Sequence, residues 1–339
     1  MIKIYHTTII WCLFFIYFLS ANPEHTSQNR LRLGTATHGG PYYTLGQSIK
    51  SLFEKHGIVT IEVVESNGSV DNILKLRRQE IDLAIVQNDI AFFAENGLYP
   101  FKEKFENLRG ILTFYAEPVF LVTNDPTINH PAQLANHKVN VGPIASGLLT
   151  DAKIILNAVG IANLIIETNY KPTEVPYLLP NNIVQGAFVN NISPELAQGI
   201  RNGEFHIISL KNDLTSKITK TYPYFTLYHR KIFETSITTI AVKAILICKD
   251  TLPDSLGYQL AKILYQDFVN LKFPEYGGDH QPNQNKIIQS MPLKNWHSGV
   301  KNFYTQEGIL KSQDYLKYLW IGTVALFLIL ILIFILNLV

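Results

Sequence analysis

The chain has 339 residues, a formal net charge of +2 and 17% charged residues. That length allows one large or two medium domains. The near-balanced charge, with no dense Lys/Arg patch interleaved with aromatics, leaves no electrostatic footprint for nucleic-acid binding.

The N-terminus carries Lys3, then an apolar run over roughly residues 7–19, then Ser20 and Ala21. A basic start, a short apolar stretch and small residues predict a secretory signal peptide over residues 1–21, with an uncleaved signal anchor as the alternative. Either one exports the body. Cys12 sits inside the apolar run, so it does not read as a lipoprotein cysteine. Only Cys248 remains after the leader, and no internal disulfide can form.

A polar lead-in, residues 22–30, precedes the body. Residues 31–36 read as a strand, followed by the turn Thr37-His38-Gly39-Gly40 and a helix over 45–54. A second strand over 60–65 leads through the turn 66–69 into a helix reaching Leu76. Ser69 with Asn72 three residues on gives a polar helix start without a true capping box. Residues 81–86 form a buried strand, and Gln87-Asn88-Asp89 opens the next helix. Further strands are expected over 109–114, 119–123, 138–141, 186–189, 205–209 and 238–248. Helices are expected over 150–159, 194–201 and 254–269. Strands alternating with helices predict an α/β fold with parallel or mixed sheets covered on both faces.

The last stretch, residues 318–339, reads YLWIGTVALFLILILIFILNLV and contains no charged residue. As a helix it reaches about 33 Å, enough to cross a hydrocarbon core of about 30 Å. Tyr315, Tyr318 and Trp320 suit the interface at its entry, and Lys311 and Lys317 can snorkel. A transmembrane helix is therefore expected, joined to the body by a linker over 311–317. The body is expected on the extracytoplasmic side of the cell inner membrane.

Catalytic motifs are missing from the sequence. It holds no HExxH, CxxC, GxSxG or P-loop pattern. No two histidines of the body pair at i, i+4, and Asp82 and Asp89 are not placed as an acid/base pair. The expectation is a protein that is not an enzyme and carries no catalytic residue, metal or cofactor. What the pattern does offer is four polar turns at the carboxyl ends of strands: 37–43, 66–69, 87–89 and 143–147. Ligands in open α/β sheets bind there, where helix N-termini present free N–H groups and a positive dipole end. Taken singly, each turn is also what any strand-to-helix cap requires.

Five segments carry a family resemblance: LGTATHGGPYYTLGQSI, VVESNGSVDNILKLRRQEIDLAIVQNDIA, VNVGPIASGLLTDAKIIL, AILICKDTLPDSLGYQLAKILYQDF and PLKNWHSGVKNFYTQEG. In this order and spacing they resemble the TAXI family of TRAP-transporter solute receptors, over roughly residues 31–310. The resemblance implies a periplasmic binding protein with two α/β lobes, a hinge and a ligand in the cleft between them. Lobe one would be residues 31–123 with 244–310, and lobe two 124–243. The implied ligand is a small carboxylate or amino acid such as glutamate or 2-oxoglutarate, and the implied partner is a TRAP-type permease in the bilayer. The implied ligand-binding residues are Thr37, Gly40, Tyr42 and Tyr43 in the first turn, and Ser66, Ser69 and Asn72 in the second. Gln87 and Asp89 come from the third turn, and Ser146 and Gly147 from the fourth. Tyr115 would join Tyr42 and Tyr43 as a wall. The family's fourth turn, usually GPPGSGT, here has Ala145 for a glycine and Leu148 for the threonine. Leu149 stands where a basic residue is common, and Asn67 replaces a usual glycine. These departures point to a less charged or more apolar ligand. The competing readings are a membrane-bound sensor or accessory protein that kept the fold without classical transport, and an enzyme built on the same scaffold.

Overall fold

The computed structural model describes residues 29–273 and 296–310. The expected leader, the linker 311–317 and the apolar helix 318–339 lie outside the described residues. Among the described residues no helix is long and apolar enough to cross a membrane.

Two mixed sheets organise the chain. The first contains β1 (Asn29–Gly34), β2 (Val59–Val64), β3 (Leu83–Gln87), β4 (Leu108–Pro118), β10 (Thr226–Ile232) and β11 (Thr235–Lys249). Its order is β10-β11-β3-β1-β2, with β4 on the other side of β11. β1 pairs in parallel with β2 and β3, whereas β11 runs antiparallel to β3, β4 and β10. The second sheet has the order β7-β6-β8-β5-β9, built from β5 (Phe120–Thr123), β6 (Lys138–Asn140), β7 (Ile166–Thr168), β8 (Gly186–Val189) and β9 (His206–Ile208). β3, β5 and β8 are buried at every position, as strands covered on both faces must be.

Helices α1 (Pro41–His56), α2 (Ser69–Arg77) and α3 (Asn88–Asn96) follow β1, β2 and β3 in turn, while α4 (Gly147–Val159) follows β6 and α5 (Pro194–Arg201) follows β8. The first of these starts with Pro41 at its first position, where the missing N–H costs nothing, and stops at Gly57 in the left-handed conformation. α4 and α5 are capped by Ser146 Oγ and Ser193 Oγ, which accept from the N–H groups of Leu149 and Leu196. The expected helix starts at 45 and 150 are one turn too late, because the polar or glycine-containing first turns of α1 and α4 hide the apolar period there.

Helices α6 (Asn212–Thr221), α7 (Asp254–Gln266) and α8 (Ser298–Gln306) complete the framework. α8 lies against α7 so closely that a methyl group on Gly299 would meet the Asp254 carbonyl oxygen at 1.9 Å. Tyr304 is fully buried there and donates through its hydroxyl to the Ile111 carbonyl.

The sheets divide the chain differently from the sequence expectation. Residues 120–123, placed in lobe one, form a central strand of the second sheet. Residues 226–243, placed in lobe two, pair within the first sheet. The cause is β11, whose 15 residues serve three different partner strands in succession. The crossing from the first sheet to the second occurs at Val119, whose N–H donates to Ile240 of β11 and whose carbonyl accepts from the Thr239 hydroxyl. Two register shifts interrupt the β4–β11 ladder nearby. Register shifts of this kind bend and twist the strands locally while the rest of the ladder stays paired.

Candidate functional site

A cavity of about 100 Å³ lies between the two sheets, lined by the first turns of α1, α2 and α4 and by residues that precede α5. One water needs about 10–15 Å³ on the same measure, so the space takes roughly seven to ten non-hydrogen atoms. Of the expected residues, Thr37, Gly40, Tyr42, Ser69, Gln87, Ser146 and Gly147 line it. The first-turn N–H groups of the three helices have no partner within their own helices.

Contacts join the lobes across this cavity. The Asp71 N–H of α2 donates to the carbonyl of Ala145, which precedes α4. Ala145 holds a left-handed φ of 65°, the conformation that favours the glycine expected at this position. Gly68 has a φ of 116°, and a methyl group there would touch Ser146 Cα at 3.5 Å. The two lobes are therefore closed on one another.

The remaining expected residues stand off the cavity lining. Ser66 shapes its turn, donating to the Thr35 carbonyl and accepting from the Gly68 N–H. Asn72 is buried and donates to the carbonyls of Thr35 and Ile85, bracing α2 against β1 and β3. Tyr43 packs on His38 with ring centroids 4.6 Å apart and lines a separate outer groove. Tyr115 is buried against Phe273. Asp89 is also fully buried off the cavity, beside Asp151 of α4.

Sequence reasoning missed the chemistry at the floor. Glu117, at the end of β4, lines the cavity and is only 2% exposed. Its Oε1 accepts from Gln87 Nε2 at 3.1 Å and from Asn190 Nδ2. Gln87 uses its other N–H on Asp151 Oδ2, at 2.9 Å. The Tyr42 hydroxyl lies beside the Glu117 carboxylate. Burial raises the Glu117 pKa, while the hydrogen bonds from Asn190, Tyr42 and Gln87 oppose the rise. Burial first, and the Glu117 charge second, push the Tyr42 and Tyr115 hydroxyls well above their ordinary range.

Behind Gln87, Asp89 and Asp151 meet across the lobe boundary. Burial pushes Asp89 up to about 7, and burial together with the Asp89 charge raises Asp151 strongly. Like charges this close and this dry cannot both ionise cheaply, so the pair holds a proton between them. Two buried carboxyl groups, Glu117 and Asp151, thus share one glutamine, and Asp89 lies beside the second of them. Among the described residues no group of His, Cys, Asp and Glu is arranged to hold a metal ion.

Two α/β lobes with mixed sheets and a cavity between helix N-termini define the fold of the periplasmic solute-binding proteins. Residues 33–308 match the NMT1-like family, and the chain belongs to that family. It is similar to a protein from Bordetella bronchiseptica RB50, at 14% identity over 81% of this chain and 80% of that one, with a TM-score of 0.50. It is also similar to MatC from Rhodopseudomonas palustris, solved with bound malate, at 11% identity over 70% of this chain and 84% of that one, TM-score 0.50. The periplasmic aliphatic sulphonate binding protein SsuA of Escherichia coli aligns at 15% identity over 71% and 70% of the two chains, TM-score 0.41.

Proposed function

We propose that the chain is the solute receptor of a TRAP-type transporter of the TAXI kind, held at the outer face of the inner membrane by its C-terminal helix. It captures a small carboxylate in the cleft and presents it to a permease in the same bilayer. The observation that carries this reading is the convergence of three helix N-termini, from both lobes, on one small closed cavity. That arrangement supplies backbone N–H donors and positive dipole ends to an anion, with no basic side chain among the described residues that line the cavity. MatC, a neighbour in fold, was solved with malate, itself a small carboxylate. Tethering by residues 318–339 would exchange free diffusion for a high effective concentration near the permease.

The test is a melting-temperature and calorimetric screen of the full chain in detergent micelles against small carboxylates and amino acids. Binding at the micromolar level or tighter is expected. A ligand present at about 100 times its Kd stabilises the folded state by about 2.7 kcal/mol, which moves the melting temperature by several degrees. No heat and no shift with any of them would remove the receptor reading.

A further inference from the structure

Asn190 stands where the two lobes join. It follows β8, which pairs with β5 so that Val189 lies opposite Phe120. Asn190 therefore comes level with Val119, where the chain passes from the first sheet to the second. From the second lobe its amide donates to Oε1 of Glu117, which precedes that crossing on the first lobe. The same oxygen accepts from Gln87, whose backbone N–H is held by Ser69 Oγ of α2. Gln87 in turn reaches Asp151 Oδ2 on the second lobe at 2.9 Å. The hydrogen bonds Asn190–Glu117–Gln87–Asp151 thus form one chain that passes between the lobes at both of its ends. Among the described residues no hydrogen bond ties the Asn190 side chain to its own lobe.

We propose that Asn190 is a positioning residue of the receptor: it clasps Glu117 across the crossing once the lobes have met, and so sets how slowly the closed lobes release what they hold. The proposal rests on the receptor reading above and is independent of which small carboxylate binds. The Glu117 backbone is fixed in the β4–β11 ladder opposite Val242, so its carboxyl group stays with the first lobe. Parting of the lobes turns about the crossing beside it and carries Asn190 away. The clasp therefore belongs to the closed state alone, and losing it speeds release without slowing capture. It does not depend on the charge of Glu117, because Oε1 only accepts. When Glu117 carries the proton that burial favours, the Tyr42 hydroxyl beside the carboxyl group is there to receive it from Oε2. Those two oxygens are both buried and make no other hydrogen bond.

Stopped-flow tyrosine fluorescence on the full chain in micelles tests the proposal, with glutamate, 2-oxoglutarate and malate as probes. For the probe that binds tightest, N190A should raise the release rate by about 20-fold, the scale for a buried hydrogen bond to a carboxyl group. Its capture rate should stay within about threefold of the wild-type rate, and its ligand-free melting temperature within a few degrees. E117L leaves nothing to clasp, so adding N190A to it should change release by less than about threefold. An unchanged release rate in N190A, or capture slowed as much as release is sped, would overturn the clasp and leave the receptor standing. So would an N190A effect equally large in the E117L background, which would put the amide on the bound molecule instead of on Glu117. Loss of the ligand-free fold in N190A would also overturn it, since a clasp of the closed state does not hold the lobes themselves together. If none of the three probes changes the signal of the wild-type chain, the receptor reading fails and takes this one with it.

Discussion

Replacing Gly147 by alanine is expected to weaken ligand binding by about 100-fold while leaving the melting temperature of the ligand-free chain within a few degrees. Gly147 is the first residue of α4 and lies on the lobe boundary. A methyl group there would stand 1.5 Å from Gln87 Oε1, 2.5 Å from Gln87 Cδ and 3.1 Å from Ser69 Oγ, all on the opposite lobe. Gln87 cannot swing aside freely, because its amide donates to Glu117 and Asp151 at once. Moving it leaves two buried carboxyl groups short of a donor, at about 1.5–3 kcal/mol each. Keeping it in place holds the lobes apart. Either outcome penalises the closed state by about 3 kcal/mol, or roughly 100-fold in affinity. The helix itself loses nothing, since alanine is the better helix former. Calorimetry on G147A checks the first half of this expectation and its melting curve the second. Unchanged affinity would mean that ligand binding does not require the lobes to meet at α4.

The second large effect concerns pH. Asp89 lies in the first turn of α3, on the first lobe, and Asp151 in α4, on the second. Closure buries both. Facing them are the Glu117 carboxylate from β4, the Gln87 amide from β3 and Tyr224. In the open state the acids return toward the ordinary carboxylate range near 4. Between that range and about pH 7 the closed state holds a proton that the open state has released. Raising the pH across this window therefore favours opening, as Asp89 gives up its proton near 7. The Asp89 contribution is fully present below about pH 4 and is lost as the pH rises through about 7, the reverse of an ion-paired carboxylate. One proton exchanged in this way makes ligand affinity about 30-fold tighter at pH 5.5 than at pH 8. The double variant D89N/D151N removes both buried acids and should flatten that dependence. Affinity that rises with pH in the wild-type chain, or a slope unchanged in the double variant, would contradict this account of the buried acids.

The parts of this architecture that were legible in the sequence are those set by local chemistry. Each of the turns 37–43, 66–69, 87–89 and 143–147 follows an apolar strand and opens a helix, and all four meet between the lobes. A strand end followed by Gly, Ser, Asn or Pro signals a turn whatever the rest of the chain does. Proximity of turn to cavity did not fix what each side chain does. Asn72 and Ser66 look like ligand donors by position, yet their hydrogen bonds are consumed by backbone groups of β1 and its neighbours.

Glu117 was illegible for a different reason. In LRGILTFYAEPVF it falls between the two expected strands, 109–114 and 119–123, where no local pattern marks an acid as buried. Its burial comes from the crossing at Val119, which brings the second lobe over it, and no local pattern encodes that crossing. Asp151 reads as an ordinary acid in the first turns of a helix. Asn190 belongs to an asparagine-rich composition that carried no positional signal. β10 was missed because only Tyr228 and Ile232 of its seven residues are buried, too few to show a period of two. Its pairing with β11, and with it the sheet that residues 226–232 join, is fixed by a 15-residue strand shared among three partners.

The most direct measurement is a crystal structure of the chain with the tightest-binding small molecule from the calorimetric screen. The account predicts density in the cavity, with the carboxylate at the N-termini of α1, α2 and α4. Density for the ligand in the outer groove beside Tyr43, or on any other face while this cavity holds only water, would contradict it.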